Sequence, residues 1–276
     1  DRVTGDITCD LNIIQRLQPV LRQGKWHVTL ALRDGHQIVA IWPGLKDQIA
    51  GVAIDVGSTT MSAHLCDMVT GKVLASTGAM NPQIRFGEDL MSRVSYGIMN
   101  LGGAAEMTKA VIAGLQALID GAAKQAGLTG EDIVELVLVG NPVMHHLLLG
   151  IDPVELGGAP FALAVDVAMD VRAAELGLAI NPGGRVYILP CIAGHVGADA
   201  AAVVLAEAPQ KADEMTLIVD VGTNAEIVVG NKDRLLAASS PTGPAFEGAQ
   251  ISSGQRAAPG AIERIRIDKD TLEPKF

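Results

Sequence analysis

Two hydrophobic patterns alternate along this chain, and together they predict a layered α/β protein. Short unbroken apolar runs, as expected of buried strands, cover 51–56, 133–140, 186–190 and 216–221, with further strands at 61–66, 72–76, 225–229 and 234–238. Between them, apolar residues return every third or fourth position, which predicts helices over 88–100, 104–126 and 198–208. On the first helix Leu90, Met91, Val94 and Ile98 share one face. Asn141-Pro142 breaks the strand before it, and a helix or turn begins at 144–149. Residues 1–50 read as a small α+β unit. Asp10 caps a short helix to about Leu17, with Pro19 limiting its extension. Alternating residues 26–33 and 37–42 then form a hairpin about Asp34-Gly35, a favoured two-residue turn, and Pro43-Gly44 ends it. This unit is a scaffold with no visible chemistry.

Two of the apolar runs end alike. Asp55-Val-Gly57-Ser58-Thr59-Thr60 closes one and Asp220-Val-Gly222-Thr223-Asn224 the other, 165 residues later. A glycine after a buried strand lets the backbone turn tightly beside a ligand, and the hydroxyls and N–H groups next in the chain can face phosphate oxygens. Each copy is followed by strand, turn and strand, with the turns at 67–71 and 230–233. One copy is common punctuation. Two with the same flanks predict a duplicated domain with one phosphate loop per lobe. The first lobe spans 51–207, and 208–276 opens a second of which three strands and part of a fourth, 261–267, are present. Before the last helix of the first lobe, Gly194 and Gly197 permit the close backbone approach that a helix packed against its symmetry mate at a hinge needs.

Composition narrows the options. The 276 residues suffice for two modest domains or one large one. A hydrophobic share of 49% excludes wholesale disorder, and 3% aromatics leaves a core of Ala, Val, Leu and Ile. The net charge of −10 argues against nucleic acid or an anionic membrane as partner, since both need a basic surface. It leaves room for one bound nucleotide. Cys9, Cys66 and Cys191 are too far apart for a disulfide or metal-cluster framework, and so sparse a count fits a reducing cytoplasm. No apolar stretch reaches the roughly 18–20 residues of a membrane span, and no signal peptide is visible. The chain starts without methionine and stops soon after a strand, as a piece of a longer polypeptide would.

The order of phosphate loop, helices, glycine-bearing helix and second phosphate loop is that of the fold shared by actin, sugar kinases and heat-shock ATPases: duplicated ribonuclease-H-like lobes, here with the second incomplete. Longer strings are more selective. Asn81-Pro-Gln-Ile-Arg-Phe-Gly-Glu-Asp89, Val139-Gly-Asn-Pro-Val-Met-His-His-Leu-Leu-Leu-Gly150 with Ile151-Asp-Pro, and Gly243-Pro-Ala-Phe-Glu-Gly-Ala249 with Arg256-Ala-Ala-Pro-Gly260 resemble the reductive activators of corrinoid proteins. The resemblance covers nearly the whole chain, with 1–50 similar to the end of the family's middle domain. It implies an ATP-dependent activator that restores cobalt(I) in a corrinoid iron-sulfur or corrinoid methyltransfer protein. In that family a ferredoxin domain with a two-iron two-sulfur cluster delivers the electron. That domain's cysteines are absent from these residues, as is the second lobe's glycine-rich adenosine loop. The resemblance also suggests a homodimer.

On this reading a Mg²⁺-chelated ATP lies between the lobes. Asp55 and Asp220 would hold waters of the metal's shell. Ser58, Thr59, Thr60, Thr223 and Asn224 would bind β- and γ-phosphate oxygens, and Gly57 and Gly222 would keep side chains off the phosphates. Glu247, in a Gly-Pro-rich loop, is a candidate for orienting the attacking water. His145-His146 cannot chelate one ion from a helix, because adjacent side chains point about 100° apart, and packing is the simpler reading. Arg85, Glu88, Asp89 and Arg93 read as a solvated helix start, with a partner surface as the alternative. Met61, Met80, Met91 and Met99 read as core fillers. A small-metabolite kinase of the same fold is the competing function, with Asp220 as general base, although no polar acceptor cluster is visible. A non-catalytic nucleotide-gated or dimerisation module is the third.

Overall fold

A computed structural model describes residues 6–243, 252–254, 260, 262 and 264–276. The first unit comprises β1 (Thr8–Cys9), α1 (Leu11–Gln23), β2 (Val28–Arg33) and β3 (Gln37–Pro43), with sheet order β1-β3-β2. The turn between β2 and β3 has Asp34 and Gly35 both at positive φ, 50° and 73°, which matches the strands' twist. α1 runs beyond the expected stop, to Gln23, with Pro19 inside it. Proline forfeits one backbone bond, but its φ suits a helix. The last turn is held by Val20, buried with Ile13 against Ile41, and by the Gly24 N–H on the Val20 carbonyl. Trp26 stands outside the hairpin, at φ 68° and 75% exposed.

This unit is docked onto the larger first lobe. Ala31, Val39, Ala40 and Trp42 pack with Val134, Trp42 Nε1 donates to the Glu131 carbonyl at 3.2 Å, and Lys46 pairs with Asp132 at 2.6 Å. A methyl on Gly183 would lie 1.9 Å from the Val39 carbonyl oxygen, so the two surfaces meet backbone to backbone.

The first lobe contains β4 (Ala50–Val56), β5 (Thr60–Asp67), β6 (Val73–Met80), α2 (Leu90–Met99), α3 (Gly103–Gln125), β7 (Ile133–Val139), α4 (Pro142–Leu148), β8 (Met169–Arg172), β9 (Arg185–Ile188) and α5 (Ala198–Glu207). Its six-stranded sheet has the order β6-β5-β4-β7-β9-β8, with β4, β7 and β9 parallel. Period-two alternation turns Val52, Ile54 and Val56 inward, beneath Met107, Val111, Leu115 and Ile119 of α3, and turns Asp55 to the other face. α2 departs from expectation. Val94 and Arg93 are buried, while Met91 and Ile98 are 47% and 62% exposed. The helix packs on the turn at Val154–Gly157, where Gly157 leaves room for Val94, and so presents a different face. Met61 fills the core as expected, but Met80, Met91 and Met99 lie at the surface, at a strand end and on α2's outer side.

The second lobe provides β10 (Thr216–Val221), β11 (Asn224–Gly230) and β12 (Leu235–Pro241), an antiparallel sheet in that order. Of the fourth strand expected over 261–267, Ala261 and Glu263 lie outside the described residues, and its end, Arg266–Ile267, does not join that sheet. Within the described residues β13 (Arg266–Ile267) pairs with β14 (Pro274–Lys275) instead, because the Asp268 carboxylate accepts from the Asp270 and Thr271 N–H groups and closes a local turn. Leu217, Val219 and Val221, the counterparts of buried Val52, Ile54 and Val56, are 49–71% exposed, and no described residue covers them as α3 covers the first set. Among the described residues no helix is long and apolar enough to cross a membrane.

Candidate functional site

Each lobe delivers one acidic strand end and one glycine turn, and the two meet. β4 carries Asp55 opposite Ser62 and β10 carries Asp220 opposite Glu226. The Ser58 and Thr223 hydroxyls, one from each turn, lie 3.0 Å apart. A cavity of about 370 Å³ opens there, lined by Asp55, Gly57, Ser58, Thr59 and Thr60 from the first lobe and by Asp220, Gly222, Thr223 and Asn224 from the second. Nine of the ten residues singled out from sequence therefore border one cavity. The tenth, Glu247, lies outside the described residues.

Two further acids line the space that sequence reasoning missed, Asp199 and Glu226. Glu226 was legible in principle as a charged position inside the apolar strand 225–229. Asp199 opens an Ala-rich helix two residues after Gly197. Its place follows from the Ala198 N–H donating to the Gly140 carbonyl at 2.9 Å, which ties α5 to the end of β7.

The electrostatics follow from four carboxylates with no basic side chain among the described lining residues. Burial and then the Asp220 charge raise the Asp55 carboxyl above its ordinary range. Asp199 is pushed up to about 7, chiefly by burial and then by Glu226, Asp55 and Asp220, against the Ala200 N–H that stabilises its ionised form. Burial and Asp220 raise Glu226 too, opposed by the Ser239 hydroxyl that donates to it. No preformed cluster of three or more metal-binding side chains exists among the described residues. The two facing aspartates suit a hydrated Mg²⁺, which keeps several waters and takes one or two carboxylates. Such a cation would relieve their repulsion.

Positive charge comes from behind the first loop. Arg93 is fully buried, which corrects its assignment to a solvated helix start. Nη2 donates to the Ser58 carbonyl, Nε to the Gly87 carbonyl at 2.9 Å, and Nη1 lies 3.1 Å from Met144 Sδ. Burial draws its pKa down to about 10, so the guanidinium stays charged at neutral pH. Of its expected neighbours, Asp89 caps α2 by accepting from the Ser92 N–H, and Arg85 lies over the Phe86 ring.

The glycines divide by role. A methyl on Gly57 would sit 2.4 Å from the Thr60 carbonyl oxygen, so the turn itself demands glycine there. At Gly222 the nearest atom would be 3.5 Å away, an ordinary contact. Both histidines are buried. His146 Nδ1 donates to the Pro142 carbonyl at 2.8 Å and Nε2 accepts from the Ala164 N–H at 3.0 Å, which fixes a neutral ring. Burial takes His145 down to about 4.

Comparison with known proteins places the chain in a family. Family profiles described as the RACo linker region, the RACo middle region, and the C-terminal domain of RACo, the ASKHA domain, match residues 1–48, 50–211 and 214–276. The corrinoid activation enzyme RamQ of Eubacterium limosum is 34% identical over 99% of this chain and 49% of its own length. The Co(II) methylated amine-specific corrinoid protein reductase of Methanosarcina barkeri is 26% identical over 77% of this chain and 40% of its own. A solved structure, the reductive activator for corrinoid,iron-sulfur protein, superposes with a TM-score of 0.80 at 38% identity, covering 98% of this chain and 44% of that one. The chain thus spans about half the length of the relatives it matches. With the middle-region profile alone covering more than half of its residues, the chain belongs to the RACo family, and its second lobe to that family's actin-like ASKHA domain.

Proposed function

We propose that this chain is the nucleotide-binding part of an ATP-dependent reductive activator, one that returns a corrinoid iron-sulfur or corrinoid methyltransfer protein to its cobalt(I) state. The observation that carries the reading is the meeting of two phosphate-type turns and two aspartates around one cavity. The names of the relatives, a corrinoid activation enzyme and a corrinoid protein reductase, support the choice of substrate.

Asp55 and Asp220 would hold the Mg²⁺ water shell. Ser58, Thr59 and Thr60 would bind polyphosphate oxygens from one side, and Thr223 and Asn224 from the other. When bound, Mg²⁺ supplies charge that neutralises the polyphosphate. Because both lobes touch one ligand, binding energy can drive their closure. A differential affinity of about 5.5 kcal/mol moves a two-state equilibrium from 1:99 to 99:1. At about 59 mV per tenfold for one electron, the same amount corresponds to roughly 240 mV. In this reading closure is spent on the corrinoid partner, for instance by displacing a cobalt ligand. The electron would come from a two-iron two-sulfur cluster in a ferredoxin domain outside these residues. A homodimer in the cytoplasm is the assembly that fits the resemblance.

One observation favours activator over metabolite kinase. The space beside the loops is bounded by Leu90, Met91, Pro142, Val143, Leu156 and Pro241 as well as by Asp89, His195, Thr223, Asn224 and Ser239. Most of its exposed wall is apolar, unlike the polar pocket a sugar needs. The test is cobalt(I) formation by the intact polypeptide with Mg·ATP, with a non-hydrolysable analogue, and with no nucleotide. The proposal expects a clear excess with ATP. Equal yields under all three conditions would remove ATP from the mechanism.

A further inference from the structure

In both lobes the phosphate loop is tied back by the residue that follows the third strand. β6 ends at Met80 opposite Thr60, and Asn81 comes next. The Asn81 N–H donates to the Thr59 carbonyl and its Nδ2 to the Gly57 carbonyl, each at 2.8 Å. β12 ends at Pro241 opposite Asn224, and Thr242 comes next. The Thr242 N–H donates to the Thr223 carbonyl at 3.4 Å and its hydroxyl to the Gly222 carbonyl at 2.7 Å. Gly57 and Gly222 are counterparts in the repeat, and so are Thr59 and Thr223, each being the last residue before the second strand. The two lobes thus share one device built from different side chains. Arg93 supplements it in the first lobe through the Ser58 carbonyl, and the Gly243 N–H does so in the second through the Thr223 carbonyl at 3.0 Å.

The carbonyl and N–H of one peptide unit point in opposite directions because the unit is planar and trans. Holding the carbonyls of Gly57, Ser58 and Gly222 back therefore turns the N–H groups of Ser58, Thr59 and Thr223 the other way. Among the described residues these three N–H groups have no protein acceptor, and all three residues line the cavity. A peptide flip in either turn would instead present a carbonyl oxygen to an anion, which would repel it. We propose that Asn81 and Thr242 are paired positioning residues, one per lobe, that hold the loop carbonyls out of the cleft so that successive N–H groups meet the polyphosphate. The inference rests on the nucleotide reading of the cleft.

Thr242 offers the clean test, because it is partly exposed and Thr242→Val keeps its shape. Titrations of the intact polypeptide with Mg·ATP and with magnesium pyrophosphate, which lacks a nucleoside, separate the clamp from adenosine contacts. Thr242→Val is expected to weaken both probes about tenfold, the equivalent of one hydrogen bond, with the melting temperature little changed. Thr242→Ser, which restores the hydroxyl, is expected to recover affinity to within about threefold. Asn81→Asp, which keeps the acceptor for the Gln83 N–H and loses the donor to Gly57, is expected to match the valine variant in the other lobe. If that buried change prevents folding, the threonine series stands alone. Wild-type affinity in Thr242→Val, a loss confined to ATP, or no recovery in Thr242→Ser would each overturn the clamp. A wild-type protein that binds neither probe would overturn the cleft reading, and the clamp with it.

Discussion

Asp199 has the most to lose by ionising. Its carboxyl is pushed up to about 7 by burial and by three other acids, so it titrates in the neutral range. Its folded pKa lies above the unfolded value of about 3.9. The folded state therefore binds the extra proton between those values, and stability falls as pH rises from about 4 to 7. A divalent cation in the cleft reverses this preference by favouring the ionised form. Mg·ATP affinity is accordingly expected to rise by up to about tenfold between pH 6 and 8, with a proton released on binding. Asp199→Asn should flatten that profile. Calorimetric titration in buffers of different ionisation enthalpy would show both effects, and an unchanged slope in the variant would assign the pH dependence elsewhere.

At the scale of elements, the join between β7 and α5 fixes where Asn141 and Asp199 stand. Gly197 allows it. A methyl there would meet Asn141 Cα at 2.5 Å and the Gly140 carbonyl oxygen at 2.6 Å, both backbone atoms that cannot swing aside. Gly197→Ala is expected to cost about 1–3 kcal/mol of stability and to weaken nucleotide binding as well. Chemical denaturation with a parallel Mg·ATP titration checks both, and a variant of wild-type stability would contradict the account of the join. Sequence anticipates a close approach at this helix start because glycine leaves a visible mark, but it expects a symmetry-mate helix as the partner, where the structure has the end of β7. It also exposes the two phosphate turns, since Asp-Val-Gly repeats with its flanking strands. The tie-backs at Asn81 and Thr242 leave no such mark. Their side chains differ, and only the strand register shows that they are counterparts. Arg93 escapes sequence reasoning for a related reason. An arginine on a helix is solvated by default, and its burial comes from the meeting of Ser58 and Met144, distant in sequence, with the nearby Gly87.

For the whole molecule, the two lobes are unequal. In the first, α3 covers the sheet, while the corresponding apolar face of the second, Leu217, Val219 and Val221, stands exposed among the described residues. Among the described residues the hydrogen bond that joins them at the cleft is a hydroxyl pair, Ser58 with Thr223, beside facing acids that repel. Such a junction holds weakly by itself and responds strongly to a ligand that bridges it, which is what a nucleotide-driven closure requires. The bridge is therefore the central claim. Its most direct test is the Mg·ATP affinity of the intact polypeptide beside Asp55→Asn and Asp220→Asn, measured with and without magnesium. Either substitution alone is expected to weaken binding at least about tenfold with magnesium present, and much less without it. Wild-type affinity in either variant would mean that this lobe does not hold the metal–polyphosphate, and would contradict the account.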